Sequence, residues 1–141
     1  MKSIEQVIRE TAERMEGYTY IYETWEDADM KLEKLAYPAI VCVMPTSGNT
    51  TIRNGRIYDE ENVAIAFLTL VPRNAEGEDN GKAINEMKVA GAKFFDLLNK
   101  SGELEPVTQL PYEVVCEQLS SIVSGVIYQP VITQRIGYCP E

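Results

Sequence analysis

The sequence predicts an α+β fold: a mostly antiparallel β-sheet with an N-terminal helix and one long central helix packed on it. Three observations carry this prediction. Ser3 and Gln6 form a capping-box pattern that opens a segment of helical periodicity. An Asn-Gly pair at positions 54 and 55 lies between two strand-like runs, which is typical of a tight hairpin. Residues 80–99 show helical periodicity over a longer stretch, with strand-like runs on both sides.

The N-terminal helix is expected to end at about Glu16, because Gly17 is suited to a helix C-terminus. Its apolar face recurs at helical spacing. This face consists of Ile4, Val7, Ile8, Thr11 and Met15.

Four segments follow in the first half of the chain. Residues 18–22 alternate and are aromatic, which predicts a short strand, and the acidic residues 23–29 predict a solvated loop or a short helical turn. Residues 39–44 predict a buried strand between two prolines. Residues 51–58 predict a hairpin in which Ile52 lies opposite Ile57 across a type I′ turn.

Residues 63–71 are all apolar or threonine, so they predict a central strand. After an acidic loop, Asp79 or Asn80 is expected to cap the long helix, which should run to about Asn99. Small residues near its middle, including Gly91, should let the helix lie close to the sheet. Its predicted core face is Ile84, Met87, Gly91, Phe94 and Leu98, widened by Ala83, Ala90 and Leu97.

Two alternating runs, 112–119 and 122–136, predict the last two strands. Gly125 suggests a bulge in the second of them, and Pro130 suggests an edge position or a bend. Residues 1–141 contain no internal repeat and no linker-like stretch, so we expect a single domain.

The composition limits the classes of partner. The formal net charge is −9, from 13 basic and 22 acidic residues. Broad binding to nucleic acid or to an anionic membrane needs positive charge, so neither is expected. The N-terminus has no apolar segment typical of a secretory signal, and no run is long enough to span a membrane. We expect a cytoplasmic protein.

The sequence offers few starting points for catalysis. It has no histidine, which removes the usual general base and the common nucleophile triads. It also lacks the glycine-rich nucleotide-binding patterns and the paired-cysteine zinc pattern. We therefore expect no enzyme activity, no cofactor and no small-molecule substrate, although a site based on carboxylates or lysine stays open. Cys42 and Cys116 lie in apolar runs and are expected to be buried thiols.

An acidic stretch is the one candidate for a metal site. Glu23, Glu26, Asp27 and Asp29 could ligate a hard cation, but they lack the glycine and the closing glutamate of a calcium-binding loop. A solvated acidic segment is the favoured interpretation, and no metal ligand is assigned.

Arg53 and Arg56 are the candidate partner-contact residues. They flank the Asn-Gly turn and should lie side by side at the hairpin tip. Like charges in that arrangement slightly destabilise a hairpin. On an acidic protein, such a basic tip suits a contact with a partner, while an ordinary exposed turn remains the alternative.

Several segments together resemble a known family. Residues 62–67 read Asn-Val-Ala-Ile-Ala-Phe, an acidic loop follows, and residues 84–98 form an apolar helix with a Phe-Phe pair. The chain closes with Val-Ser-Gly-Val at 123–126 and Gly-Tyr-Cys-Pro at 137–140. This combination is similar to small phage and prophage proteins of the tail-terminator or tail-completion group, which join heads and tails.

The resemblance implies a non-enzymatic structural protein with a sheet flanked by helices. Such proteins assemble as rings, often hexamers, at the end of a tail tube, so the implied partners are further copies of the chain and phage tail or connector proteins. The family has no catalytic residues to transfer, and the resemblance implies a location in the host-cell cytoplasm or in the virion. The alternative hypothesis is a monomeric protein-binding or regulatory module without catalysis.

Overall fold

The computed structural model describes residues 2–31, 34–71, 77–116 and 123–137. Within these residues the chain forms three helices and eight strands, and the predicted α+β class is confirmed. In chain order the elements are α1 (Ile4–Glu13), β1 (Thr19–Glu23), α2 (Trp25–Lys31), β2 (Ala39–Val43), β3 (Gly48–Arg53), β4 (Arg56–Asn62), β5 (Ala64–Leu70), α3 (Gly77–Lys100), β6 (Tyr112–Cys116), β7 (Val123–Tyr128) and β8 (Val131–Ile136).

Helix α1 begins with the predicted capping box. The Ser3 hydroxyl accepts a hydrogen bond from the Gln6 N–H at 3.1 Å, and the Gln6 side chain accepts one from the Ser3 N–H at 3.0 Å. The helix ends at Glu13, earlier than predicted. The next two N–H groups bond to carbonyls only three residues back, so the last turn tightens before Gly17, whose φ is 84°.

Five strands form the larger sheet, in the order β1-β2-β5-β7-β6. Strands β1 and β2 are parallel, and the other pairs are antiparallel. The parallel pair exists because α2 connects these strands as a crossover. The acidic segment that was predicted as a loop or a helical turn is therefore a short helix, Trp25–Lys31.

Each face of this sheet has its own hydrophobic core. One core lies between the sheet and helices α1 and α3, and Phe67 is at its centre, with Phe94, Phe95 and Tyr128 in edge-to-face contact with its ring. The other core includes Ala28 of α2 and alternate residues of the same strands. The burial of β2 and β5 on both faces explains their nearly continuous apolar sequence.

Helix α3 lies close to the sheet at Gly91, as predicted. A Cβ atom at this position would overlap the ring of Tyr128 and would lie 3.0 Å from its Cζ atom. The predicted cap was wrong, because the helix begins at Gly77, so Asp79 and Asn80 lie in its first turn. The Asn80 side chain instead accepts a hydrogen bond from Ser124 Oγ at 2.6 Å.

The predicted strand over 122–136 is in fact two strands, β7 and β8, which belong to different sheets. They separate at Pro130, in agreement with the predicted bend. The predicted bulge at Gly125 was wrong, because its register with Leu68 and Val115 is unbroken. A Cβ at Gly125 would overlap the carbonyl oxygen of Phe67, so glycine permits close approach of two strands there. The predicted strand residues 117–119 lie outside the described residues.

A second sheet of three strands has the order β3-β4-β8, and we call these strands the arm. Strand β4 leads into β5 across Val63, and β7 leads into β8 across Gln129 and Pro130. The Val63 N–H donates a hydrogen bond to the Pro130 carbonyl at 3.1 Å. The arm is therefore a continuation of the central β5–β7 ribbon, bent at one corner and widened by β3.

Candidate assembly interface

The tip of the arm has the predicted hairpin geometry. Ile52 lies opposite Ile57, and Arg53 lies opposite Arg56. Asn54 has a φ of 52° and Gly55 a φ of 74°, and these positive values are those of a type I′ turn. The structure thus brings together the two arginines that the sequence singled out, and both are exposed.

A tyrosine and a third arginine lie beside this pair. Alternate strand residues share a face, and residues directly opposite each other also share a face, so Tyr58 and its partner Arg135 lie on the same side as Arg53 and Arg56. The Arg53 guanidinium carbon lies 4.3 Å from the Tyr58 ring centroid, within cation–π distance. We call Arg53, Arg56, Tyr58 and Arg135 the arginine face.

Within the described parts of the chain, none of the three arginines is in an ion pair. Glu60 shares this face two residues after Tyr58, and its carboxylate accepts a hydrogen bond from the Thr51 hydroxyl at 2.7 Å. Arg53, Asn54, Arg56 and Tyr58 also line an open depression of about 320 Å³. An arginine fork presents several N–H donors in a plane, so this surface is suited to carboxylates.

Sequence reasoning missed Arg135 because it comes from β8, which was predicted as part of one longer strand. The signal that could have found it is Pro130, because a strand that ends there leaves residues 131–136 free to pair with another partner. In the β4–β8 register, Arg135 lies directly opposite Tyr58 of the hairpin.

The opposite side of the arm tip is apolar. Ile52, Ile57 and Ile136 are direct cross-strand neighbours, and we call them the isoleucine row. Ile52 is 72% exposed, and the other two are half-buried. None of the three belongs to either hydrophobic core. The tip of the arm therefore has a charged side and an apolar side.

The base of the arm is anchored to the rest of the molecule. Ile132 is fully buried in the core beside α1, and the buried Gln134 side chain donates a hydrogen bond to the Lys2 carbonyl. Asp59 and Glu61 lie on the same face as the isoleucine row, nearer to the base. Burial, together with the neighbouring charge of Asp59, raises the pKa of Glu61.

A second surface feature is a groove of about 420 Å³ between α1 and β1, which we call the tyrosine groove. Burial raises the pKa of its three phenols. The Tyr20 hydroxyl donates to Glu5 at 3.2 Å, and Arg9 binds the same carboxylate at 2.6 Å. The groove is lined by Arg9, Ala12, Glu13, Tyr18, Tyr20 and Tyr22.

The cysteines differ from the prediction in one respect. Cys42 is buried, and burial raises the pKa of its thiol to about 12. Cys116 is only half-buried, so the expectation of two buried thiols holds for Cys42 alone. Cys116 ends an edge strand, whereas Cys42 lies in a strand with a neighbour on each side. Cys139 lies outside the described residues.

The acidic stretch 23–29 is divided between elements. Glu23 ends β1 and forms an ion pair with Lys31, while Glu26 and Asp27 lie in the first turn of α2. Among the residues that the structure describes, no group of three or more acidic or cysteine side chains is arranged to hold a metal ion. In the same part of the chain, no helix is both long enough and apolar enough to cross a membrane.

No protein-family model matches the sequence, and no curated protein matches it. The resemblance to tail-terminator and tail-completion proteins therefore stays a prediction.

Proposed function

We propose that this chain is a non-enzymatic phage or prophage assembly protein of the tail-terminator or tail-completion type. In this proposal it associates with further copies of itself in a ring and contacts phage tail or connector proteins. The single observation that carries the proposal is the arm tip, where three arginines with no ion pair among the described residues lie on one side and the isoleucine row lies on the other.

Two contact faces on one projecting element suit a ring subunit, which must meet its neighbour and also the structure on which the ring is placed. Closed rings use heterologous interfaces, in which one surface meets a different surface of the next copy. An arm that reaches out from one subunit can supply such a contact. The isoleucine row adds apolar area of the kind found at the centres of interfaces.

The charge of the chain supports self-association through the arginine face. With 22 acidic and 13 basic residues, a second copy presents many carboxylates to three clustered arginines. Complementary charges of this kind favour the correct orientation and speed encounter. We therefore expect an association that strengthens with protein concentration and weakens with added salt.

Light scattering coupled to size-exclusion chromatography tests the proposal over a range of concentrations. The wild type should form oligomers larger than a dimer, and Arg53→Glu combined with Arg56→Glu should remain monomeric while keeping the wild-type circular dichroism. Lys82→Glu with Lys93→Glu is the matched control, because it makes the same change in net charge on the exposed side of α3. A wild type that remains monomeric at millimolar concentration, with no tail protein bound, would overturn the proposal.

The tyrosine groove favours the second candidate function, a monomeric module that binds a segment of another protein. Tyrosine is common in binding surfaces because it combines apolar area with a hydroxyl group. Replacement of Tyr18 and Tyr22 by serine distinguishes the two functions. Under the assembly hypothesis, self-association should remain unchanged. Under the alternative, binding to the partner protein should be lost.

A further inference from the structure

On the basis of the proposed function, we infer that the arginine face docks on helix α2 of the next copy. This inference assigns the acceptor surface within the same chain, so the ring contact would join the arm of one subunit to α2 of its neighbour. Three features support this assignment: the charge of α2, its exposed apolar side chains, and the ion pairs that already occupy Glu5 and Glu10 of α1.

Helix α2 is acidic, with three acidic residues and one basic residue, Lys31, whose amino group pairs with Glu23 of β1. Glu26 and Asp27 lie in its first turn and are exposed, and no basic side chain among the described residues forms an ion pair with either of them. Placement at a helix N-terminus explains why these carboxylates are tolerated. Both carboxylates therefore remain available to arginines of another copy of the chain.

The same surface carries large exposed apolar side chains. Met30 is 77% exposed and follows Glu26 by one helical turn, so the two lie on the same side of the helix. Trp25, the only tryptophan of the chain, is 37% exposed. Met44 is 42% exposed, and its N–H donates a hydrogen bond to the carbonyl of Glu23, two residues before α2 begins. Tryptophan, methionine and arginine are the residues most enriched in interfaces.

The acidic residues of α1 are a weaker acceptor for the arginine face. Glu5 is already bound by Arg9 at 2.6 Å, and Glu10 is bound by Lys2 at 2.8 Å. The tyrosine groove beside them contains the Arg9 cation, which would repel the incoming guanidinium groups. Helix α2 combines carboxylates that have no ion pair among the described residues with large exposed apolar side chains, and this combination favours it as the acceptor.

The docking mode follows from the arrangement of both surfaces. Arg53 and Arg56 lie directly opposite each other on adjacent strands, and such residues are about 5 Å apart. Glu26 and Asp27 are consecutive on the helix, so their side chains diverge by about 100° and each can receive one guanidinium group. Glu26 and Met30 share one side of the helix, where the Tyr58 ring of the arm would pack on Met30.

A charge-reversal cycle tests this assignment by light scattering and analytical ultracentrifugation. Arg53→Glu with Arg56→Glu, or Glu26→Lys with Asp27→Lys, should each weaken association by about tenfold or more, because like charges then meet. The four changes combined should restore association. Combination of the arm reversal with Glu13→Lys and Glu16→Lys, which gives the same net charge, should not restore it.

The outcomes separate the inference from the proposed function. If the arm reversal abolishes association and the α2 reversal fails to rescue it, the arm contact stands and α2 is not the acceptor. Rescue by the Glu13 and Glu16 changes would assign the tyrosine groove instead. If the arm reversal has no effect, the arm-mediated assembly itself is overturned, and with it this inference.

Lysine at the start of α2 opposes the helix dipole and could unfold that helix. Glu26→Gln with Asp27→Asn avoids this problem. This neutral pair should lower the affinity and reduce its dependence on salt, at an unchanged circular dichroism spectrum. A salt dependence equal to that of the wild type would overturn the assignment.

Discussion

The central sheet and the arm share two continuous stretches of chain, yet they have opposite relations to solvent. Strand β5 reads Ala-Ile-Ala-Phe-Leu-Thr-Leu, and its middle residues, Ile65 to Leu68, are completely buried. Strand β4, which leads into it, reads Arg-Ile-Tyr-Asp-Glu-Glu-Asn and has no fully buried residue. Both faces of the first strand are buried, whereas the residues of the second strand are exposed or only partly buried.

This contrast shows how one ribbon can serve two purposes. The half in the central sheet is apolar on both faces and stabilises the fold through packing. The half in the arm is largely polar, and only at its tip do an arginine side and an isoleucine side lie opposite each other. Mutations in the two halves should therefore affect different properties, namely stability in the sheet and association in the arm.

The largest expected difference is between Phe67→Ala and Ile52→Ala. Phe67 is fully buried and contacts three aromatic rings, so its truncation should lower the free energy of unfolding by about 3–5 kcal/mol. Ile52 is largely exposed, so its truncation should change stability by less than about 0.5 kcal/mol. Urea unfolding measures both values. Equal losses would show that the arm is part of the folding core.

Two glycines of α3 give a second comparison. Gly91→Ala should destabilise the protein by about 1–3 kcal/mol, because the new methyl group would displace the Tyr128 ring. Gly81→Ala is the matched control in the same helix, where a Cβ meets nothing within 4 Å. It should be neutral or stabilise by up to about 1 kcal/mol, because alanine favours helix. Thermal unfolding distinguishes the two, and a stabilising Gly91→Ala would mean that α3 lies farther from the sheet.

The two described cysteines differ by position within the central sheet. Cys42→Ser should destabilise by about 1–3 kcal/mol, because it places a hydroxyl in an apolar site. Cys116→Ser should cost less than about 1 kcal/mol, since this residue is half-buried at an edge strand. In the native state a thiol reagent should leave Cys42 unmodified. Rapid modification of Cys42 would show that strand β2 opens to solvent.

The smallest expected effect is at the base of the arm, where Glu61→Gln should stabilise the protein at neutral pH. The folded state raises the pKa of this carboxyl above its ordinary value of 4.5, so the ionised group costs stability at pH 7. The gain should be less than about 1 kcal/mol because water screens the side chain. It should diminish as the pH falls through the folded pKa toward 4.5, where the folded protein takes up the proton.

Glu113→Gln on the edge strand β6 is the control for this pH series, because Glu113 is exposed. Its stability should follow that of the wild type within a few tenths of a kcal/mol at each pH. A Glu61→Gln variant that is destabilised at pH 7 would contradict the burial argument.

Local patterns allowed much of the fold to be predicted from the sequence. The capping box at Ser3, the turn at Asn54 and the close approach at Gly91 each depend on residues near one another or on the absence of one side chain. The parallel β1–β2 pair and the division of the C-terminal strand into two sheets were missed. Both depend on which distant strands pair, and the alternation of apolar residues carries no information about that choice.

The candidate interface shows the same limit. Arg53 and Arg56 could be predicted as neighbours because a two-residue turn joins their strands. Arg135 joins them only through the pairing of β8 with β4, and Ile136 completes the isoleucine row by the same pairing. The acceptor proposed on α2 was recognised only after α2 proved to be a helix, because that places Met30 above Glu26.

The corner at Val63 and Pro130 bends the ribbon without shifting its register. Asn62 pairs with Val131 on one side of the corner and Ile65 pairs with Tyr128 on the other, so neither strand has an extra residue between these pairs. Because side chains alternate between the two faces along a strand, the register of the core strands determines the face on which each arm residue lies. One residue added to each strand at the corner would exchange the arginine and isoleucine faces, while two would restore them. Natural variants of this protein should thus differ in arm length by even numbers of residues per strand.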